Sequence, residues 1–232
     1  MPTATLRAVA SASASGASIT CNKPAGTSVG DLLIAFQSAD SGTFANMTTP
    51  TGGATWALLT QQQWSAGEPG TNVWWKFAGG SEPASYGFAQ ASGADGVVAI
   101  AAVFGTATTT PVFASSASSV TTTSIPTPSV TPTGSDDLEL RWAASKGFGG
   151  VTFTWTPPAT YTEQVDLQSN TFTSGSMATK QLTSNAASGI QNFTISNNTG
   201  GHMGITVAVA GLAFRAARPL ILGQAMQRAA FY

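Results

Sequence analysis

The chain repeats itself, and that narrows the folds open to it. Residues 19–105 and 125–212 read as two divergent copies of one pattern, offset by about 106 positions. Ile19 aligns with Ile125, and Gly30-Asp31-Leu32-Leu33-Ile34-Ala35-Phe36 aligns with Asp136-Asp137-Leu138-Glu139-Leu140-Arg141-Trp142. Thr55-Trp56 falls on Thr160-Tyr161, Lys76 on Lys180 and Phe88 on Phe193, at offsets of 104–105. The apolar runs 96–103 and 204–210 also correspond. The drifting offset marks short insertions and deletions, which loops absorb and strands do not. Each half is expected to be too short to close its own core, so the two should complete each other in a duplicated scaffold.

The scaffold is predicted to be all-β. Short runs rich in Val, Ile, Thr, Phe and Trp lie between clusters of Gly, Pro, Ser and Asn, the alternation of strands with turns. Residues 32–37 and 138–143 are compact apolar strands entered through Asp31 and Asp137. In 73–77, Val73, Trp75 and Phe77 share one face and Trp74 and Lys76 the other. One of the two adjacent tryptophans should therefore be core and one outward. Residues 97–104 and 205–214 are almost continuously apolar, so both of their faces should be covered. Helical periodicity is nearly absent before residue 212, where 12 prolines and 25 glycines punctuate the whole chain. Pro126, Pro128 and Pro132 lie in a Thr/Ser-rich stretch that occupies the place of residues 20–29 in the first copy. That stretch reads as an edge strand with its loop, not as a hinge.

The expectation is an antiparallel β-sandwich of jelly-roll or Greek-key type spanning residues 1–214. It is built from pseudo-repeats of about 4–106 and 107–214 with about four strands each. Eight strands in two sheets are favoured over two separate sandwiches. Residues 215–232 form a C-terminal arm with no counterpart in the first copy. Arg215, Arg218 and Arg228 are three of the nine cations, and Leu220, Ile221, Leu222, Met226, Phe231 and Tyr232 are apolar. An apolar arm left in water is an aggregation hazard, so Arg215, Arg218 and these six residues are expected to dock on a neighbouring subunit. Folding back on its own sandwich is the alternative.

Composition disfavours several functions. Only 8% of residues are charged and the net charge is −1, against roughly 25% charged in an average domain. Little repulsion keeps copies apart, which suits an assembly subunit. Nine scattered Lys and Arg give no basic stripe, so nucleic acid is not an expected partner. No apolar run approaches the ~20 residues of a membrane span. The opening Met-Pro-Thr-Ala-Thr-Leu-Arg lacks the pattern of a secretory signal. Three Asn-x-Thr sequons are chance matches in so Thr-rich a chain. Cys21, the single cysteine, reads as a small apolar strand residue.

Chemistry is sparse. His202 is the one histidine and is expected in a turn, without a nucleophile elbow elsewhere to serve it. One His and one Cys cannot build a zinc site. Asp136, Asp137 and Glu139 lack the spacing of a calcium loop. Asp31 and Asp137 are repeat-related and are expected to bind backbone N–H groups at equivalent turns. A glycosidase would need two of the ten acids about 5–10 Å apart in a groove. The glycine pairs 79–80, 149–150 and 200–201 read as hairpin turns. No catalytic residue, cofactor or metal is expected. Exposed tryptophans can stack on sugar rings, and Trp64, flanked by amides, with Trp74 is the candidate glycan contact.

The phrases Lys23-Pro-Ala-Gly-Thr-Ser-Val-Gly-Asp-Leu-Leu-Ile-Ala-Phe36, Val73-Trp-Trp-Lys-Phe-Ala-Gly-Gly-Ser-Glu-Pro-Ala-Ser-Tyr-Gly-Phe88 and Pro157-Pro-Ala-Thr-Tyr-Thr-Glu-Gln164 resemble a family of virion structural proteins of tailed bacteriophages and related prophage proteins, labelled minor tail proteins. The resemblance covers residues 4 to about 214 and carries no catalytic motif, so no site residue transfers. It implies a non-enzymatic β-sandwich on the surface of a phage particle, in the tail or as capsid decoration. Such a protein is made in the bacterial cytoplasm, resides in the virion and contacts other capsid or tail proteins. The low charge adds an expectation of homo-oligomers, a trimer among them. The alternative is a carbohydrate-binding module or host-surface adhesin that binds cell-wall glycan.

Overall fold

The computed structural model describes residues 3–53, 55–64, 70–118, 122–147, 149–170, 172–197 and 200–212. The arm residues Arg215 to Tyr232 lie outside the described residues. The first half contains β1 (Thr5–Ser15), β2 (Ser18–Asn22), β3 (Leu32–Ala39), β4 (Ala57–Gln63), β5 (Gly70–Phe77), β6 (Ser85–Ala89) and β7 (Asp95–Phe104). The second contains β8 (Val112–Ser118), β9 (Ser124–Thr127), β10 (Leu138–Lys146), β11 (Trp155–Thr156), β12 (Thr162–Ser169), β13 (Thr173–Gln181), β14 (Gln191–Ile195) and β15 (Gly201–Val209).

The topology repeats with the sequence. The first half forms a five-stranded sheet in the order β1-β7-β3-β5-β4 and a small sheet, β2-β6. The second forms β8-β15-β10-β13-β12 and the small sheet β9-β14-β11. All pairings are antiparallel, and they nest: β1 with β7, β2 with β6, β3 with β5. This is the rolled-hairpin order of a jelly roll. Register is repeated too. Leu33 faces Lys76 and Ala102, and Glu139 faces Lys180 and Ala208. Ile19 faces Phe88, and Ile125 faces Phe193. Pro126 lies in β9, the edge strand of its sheet, where its missing N–H is tolerated.

The eight-strand, two-sheet expectation is corrected: the described residues hold fifteen strands in four sheets. The reason is visible in the packing. Each half covers one face of its large sheet with its own small sheet and closes a core there. Ile19, Leu33, Ala35, Trp56, Trp74, Tyr86, Phe88 and Ile100 belong to that of the first half. Ile125, Ala143, Phe153, Trp155, Phe193 and Ile195 belong to that of the second. The other faces of the two large sheets meet in a third core. There Leu32, Ile34, Phe36, Val73 and Val103 pack with Leu138, Leu140, Trp142, Ile205 and Val207. Both large sheets are thus covered on both faces, which is why β3, β7 and β15 are apolar or uncharged in long runs.

The halves face each other about an approximate two-fold axis. Phe36 and Trp142 occupy the same repeat position, and their rings stack with centroids 5.6 Å apart and planes 15° apart. On one side β1 lies against β12; on the other β8 lies against β4, and these are repeat-equivalent pairs. The contact is that of an isologous dimer joined into one chain. Gly175, on the strand beside Trp142 in the same sheet, leaves room for that ring, because a Cβ there would run into the indole.

Candidate functional site

Trp64 and Trp74 are both interior, which corrects the glycan-contact assignment. Trp64 is 3% exposed and packs in the core shared by the halves, its Nε1–H donating to the Ala39 carbonyl at 2.7 Å. Trp74 is 5% exposed in the outer core of the first half and donates to Gln37 Oε1 at 3.1 Å. Neither indole offers a face to a sugar. One of the two adjacent tryptophans is expected to face outward, but Trp75 packs on the shared core, so both faces of the strand are covered. The expectation failed because alternation tells which face a residue takes, not whether that face is covered.

His202 is not in a turn. It lies in β15, 3% exposed, facing Ser145 of β10 and Ser118 of β8. Ser145 in turn faces Ser174 of β13. His202, Ser145 and Ser174 thus form a buried row on the side of the sheet turned to the small sheet, and the hydroxyls of both serines lack hydrogen-bond partners among the described residues. A serine beside a histidine is the start of nucleophilic chemistry, but it also needs access and an orienting acid. The row is sealed inside the fold. Nothing in a chain so rich in serine marks Ser145 or Ser174 in the sequence.

The acids are engaged in structure. Asp31 accepts from the Ser28 amide at 2.8 Å and pairs with Arg7 through two bonds of 2.6 and 3.0 Å. Asp137 accepts from the amides of Thr133 and Gly134 at 2.7 and 3.2 Å. These are the equivalent turn roles expected from the repeat. Asp136, Asp137 and Glu139 do not converge, since Glu139 points to the outer core and pairs with Arg141. Asp95 ties the halves together: its Oδ1 accepts from Ser15 in the first half and from Ser169 and Asn170, at 3.0 and 2.7 Å, in the second. Asp40 Oδ1 accepts from the Asp95 amide at 2.8 Å. Burial raises the Asp40 pKa against that bond, and the Asp95 carboxylate adds to the rise. Glu163 is also raised, by burial and by Asp166, while Ser176 donates to it. Among the described residues no cluster of three or more His, Cys, Asp or Glu could hold a metal ion.

The outer cores hold the most unusual chemistry. In the second, Arg141 and Glu139 are fully buried with 2.5 Å between Nη2 and Oε1. Arg141 also donates to the Thr127 carbonyl and hydroxyl, to Ser188 Oγ, to the Gly189 carbonyl and to Tyr161 Oη, at 2.8 to 3.0 Å. Tyr161 donates to Glu139 at 3.1 Å, and burial first, then the carboxylate, push its phenol up to about 12. In the first, Lys76 pairs with Glu82 at 2.6 Å, and Tyr86 donates to the same carboxylate at 2.7 Å. Lys76 Nζ lies 5.1 Å from the Trp56 ring centre; its repeat-mate Lys180 lies 5.2 Å from that of Tyr161. The alignment of Trp56 with Tyr161 and of Lys76 with Lys180 is thus an alignment of one cation–aromatic contact. These networks hold layers and loops together.

No family model, curated protein or solved structure matches the chain. What is left to the outside is a surface of hydroxyls and amides with isolated apolar side chains, among them Val29, Leu58, Phe113, Phe172 and Ile190. Two pairs of sheet edges, β1 with β12 and β4 with β8, complete it. Among the described residues, these are the surfaces open to contact.

Proposed function

We propose that this chain is a non-enzymatic structural component of a tailed-bacteriophage particle, a minor tail or capsid decoration protein displayed on the virion and held there by protein–protein contacts. One observation supports this reading most: the buried polar groups that could do chemistry, Arg141, Glu139, Tyr161, Lys76, Glu82 and Asp95, bond to layers, turns and the junction between halves. A duplicated sandwich organised this way is a rigid brick. The low charge, 8% of residues, suits a protein whose outer faces meet other proteins, copies of itself included. The phage-like phrases at 23–36, 73–88 and 157–164 point the same way. The glycan-binding alternative loses the two tryptophans on which it stood.

The test is to purify particles from the phage or prophage that carries the gene, by density gradient, and to probe them with antibody against the chain. Co-migration with particles at fixed copy number, with label on their surface, is expected. A chain confined to the soluble lysate would reject the proposal.

A further inference from the structure

The two large sheets have four edge strands, β1, β4, β12 and β8. Exposed edges are templates for pairing with another chain, and proteins blunt them with bulges, charges or Pro. Three of the four are blunted. The register of β1 slips between Leu6 and Ala8, beside Arg7. That of β4 slips between Leu58 and Thr60. That of β12 slips between Glu163 and Val165, and the strand carries Glu163 and Asp166. β8 has none of these protections. Val-Phe-Ala-Ser-Ser-Ala-Ser pairs with β15 without a slip from Val112 to Ser118, contains no charge and no Pro, and has no strand on its outer side among the described residues. Its repeat-mate β1 is protected, so the bare edge is not a consequence of the fold.

We propose that β8 is a strand-pairing surface whose occupant is β8 of a second copy, joined antiparallel across a two-fold axis into one ten-stranded sheet. The sequence is self-complementary about Ser115. Val112 meets the other Ser118, Phe113 meets Ala117, Ala114 meets Ser116, and Ser115 meets itself. Every facing pair is small–small or large–small, and no like charges meet. Phe113 supplies the apolar component. It is 41% exposed and takes the same side of the sheet as Val207, its neighbour in β15 and a member of the shared core. An aromatic at the rim of that core is left half covered by one copy and is covered further by two. The proposal deepens the self-association in the assembly reading and names the surface responsible.

Ser115→Cys in the full chain tests it. Residues facing across an antiparallel pair have Cα atoms about 4.5–5.5 Å apart, within the disulfide range of about 4.4–6.8 Å. The native thiol, Cys21, is buried. Mild oxidation or a short bismaleimide should convert Ser115→Cys into a covalent dimer, while Thr183→Cys, on an exposed loop, stays monomeric. In sedimentation the unmodified chain should show a monomer–dimer equilibrium. Phe113→Lys, whose long stem can reach water from that rim, should raise its Kd at least about tenfold. A chain monomeric at every concentration overturns the proposal. So does a dimer that Ser115→Cys fails to link or that Phe113→Lys leaves unchanged. Residues 213–232 begin just after Leu212, whose amide bonds to Gly105 ahead of β8. A dimer that forms only once they are deleted would mean that they occupy the edge, and would also overturn it. Particles that carry the chain without cross-linkable β8 would reject this surface and leave the virion reading intact; a β8-linked dimer never found on particles would do the reverse.

Discussion

The two halves share a topology and differ in how they fill it. At equivalent positions of their third strands the first half has Leu33 and Ala35, the second Glu139 and Arg141. The first half therefore closes its outer core with apolar and aromatic side chains, Trp56 meeting Tyr86 edge-on at 5.2 Å. Its ion pair, Lys76 with Glu82, sits where the β5–β6 turn also gives Glu82 the Gly79 amide at 2.8 Å. The second half places an ion pair in mid-strand with no exposure and surrounds the guanidinium with loop carbonyls and hydroxyls. The lesson is that one backbone accepts either solution to the same space. A hydrophobic core holds the small sheet through area. A buried arginine holds it through directed bonds to Thr127, Ser188 and Gly189, which fix the loops before β10 and before β14.

That contrast is open to direct attack. The largest effect is expected from Arg141→Met, which leaves Glu139 buried without its cation. Breaking a buried pair on one side costs about 3–5 kcal/mol, read as a fall in the urea midpoint. If the charge and not the volume is responsible, the double variant Glu139→Gln/Arg141→Met should cost less than the single one, about 1–3 kcal/mol, the remainder being the loop carbonyls left unpaired. A double variant worse than the single would refute the charge argument.

The first half should respond more mildly. Tyr86→Phe deletes one hydrogen bond to a carboxylate that keeps Lys76 and the Gly79 amide, at a cost of about 1–2 kcal/mol. The pH dependence has a definite sign. Burial alone would raise Glu82, but the bonds from Lys76, Gly79 and Tyr86 outweigh it and hold its pKa below the ordinary 4.5. The stabilisation from Glu82 is therefore whole above about pH 4.5 and is lost as the pH falls through the depressed folded value. In Tyr86→Phe the folded pKa moves back toward 4.5, so the acid-side loss should be smaller and complete at a higher pH, which denaturation at stepped pH would reveal. An unchanged acid limb would remove Glu82 from the account.

Much of this arrangement was legible in the chain, and the reason is register. A repeat conserves pairs, so Ile19 with Phe88 and Ile125 with Phe193, or Trp56 with Lys76 and Tyr161 with Lys180, could be aligned before any strand was placed. Asp31 and Asp137 were legible because a turn into a strand needs an acceptor for its amides. The covering layers were not. Alternation in β5 separates Trp74 from Trp75 but carries no record of the sheet lying over each, so Trp74 looks in the sequence like a surface ring. The ion pair was visible in principle: Glu139 and Arg141 alternate with Leu138, Leu140 and Trp142 in a strand whose partner β15 brings no charged residue opposite them.

The subtlest prediction asks whether the difference between the halves stays local. Cys21 sits in β2 under the outer core of the first half, and burial pushes its thiol pKa up to about 12. A thiol so shielded reacts only when its layer opens, so the rate of labelling by a disulfide reagent reports opening of the first half. Arg141→Met acts on the opposite outer layer, with the two large sheets in between. If the shared core built on Phe36 and Trp142 couples the halves, loosening the second must speed labelling of Cys21 in the first, in proportion to the stability lost. If each half opens by itself, the rate will not change, although the urea midpoint falls. Phe36→Leu, at the axis itself, supplies the positive control. It strikes the shared core from the first half and should speed labelling under either outcome, so a null result with Arg141→Met would be a finding about coupling and not about the probe.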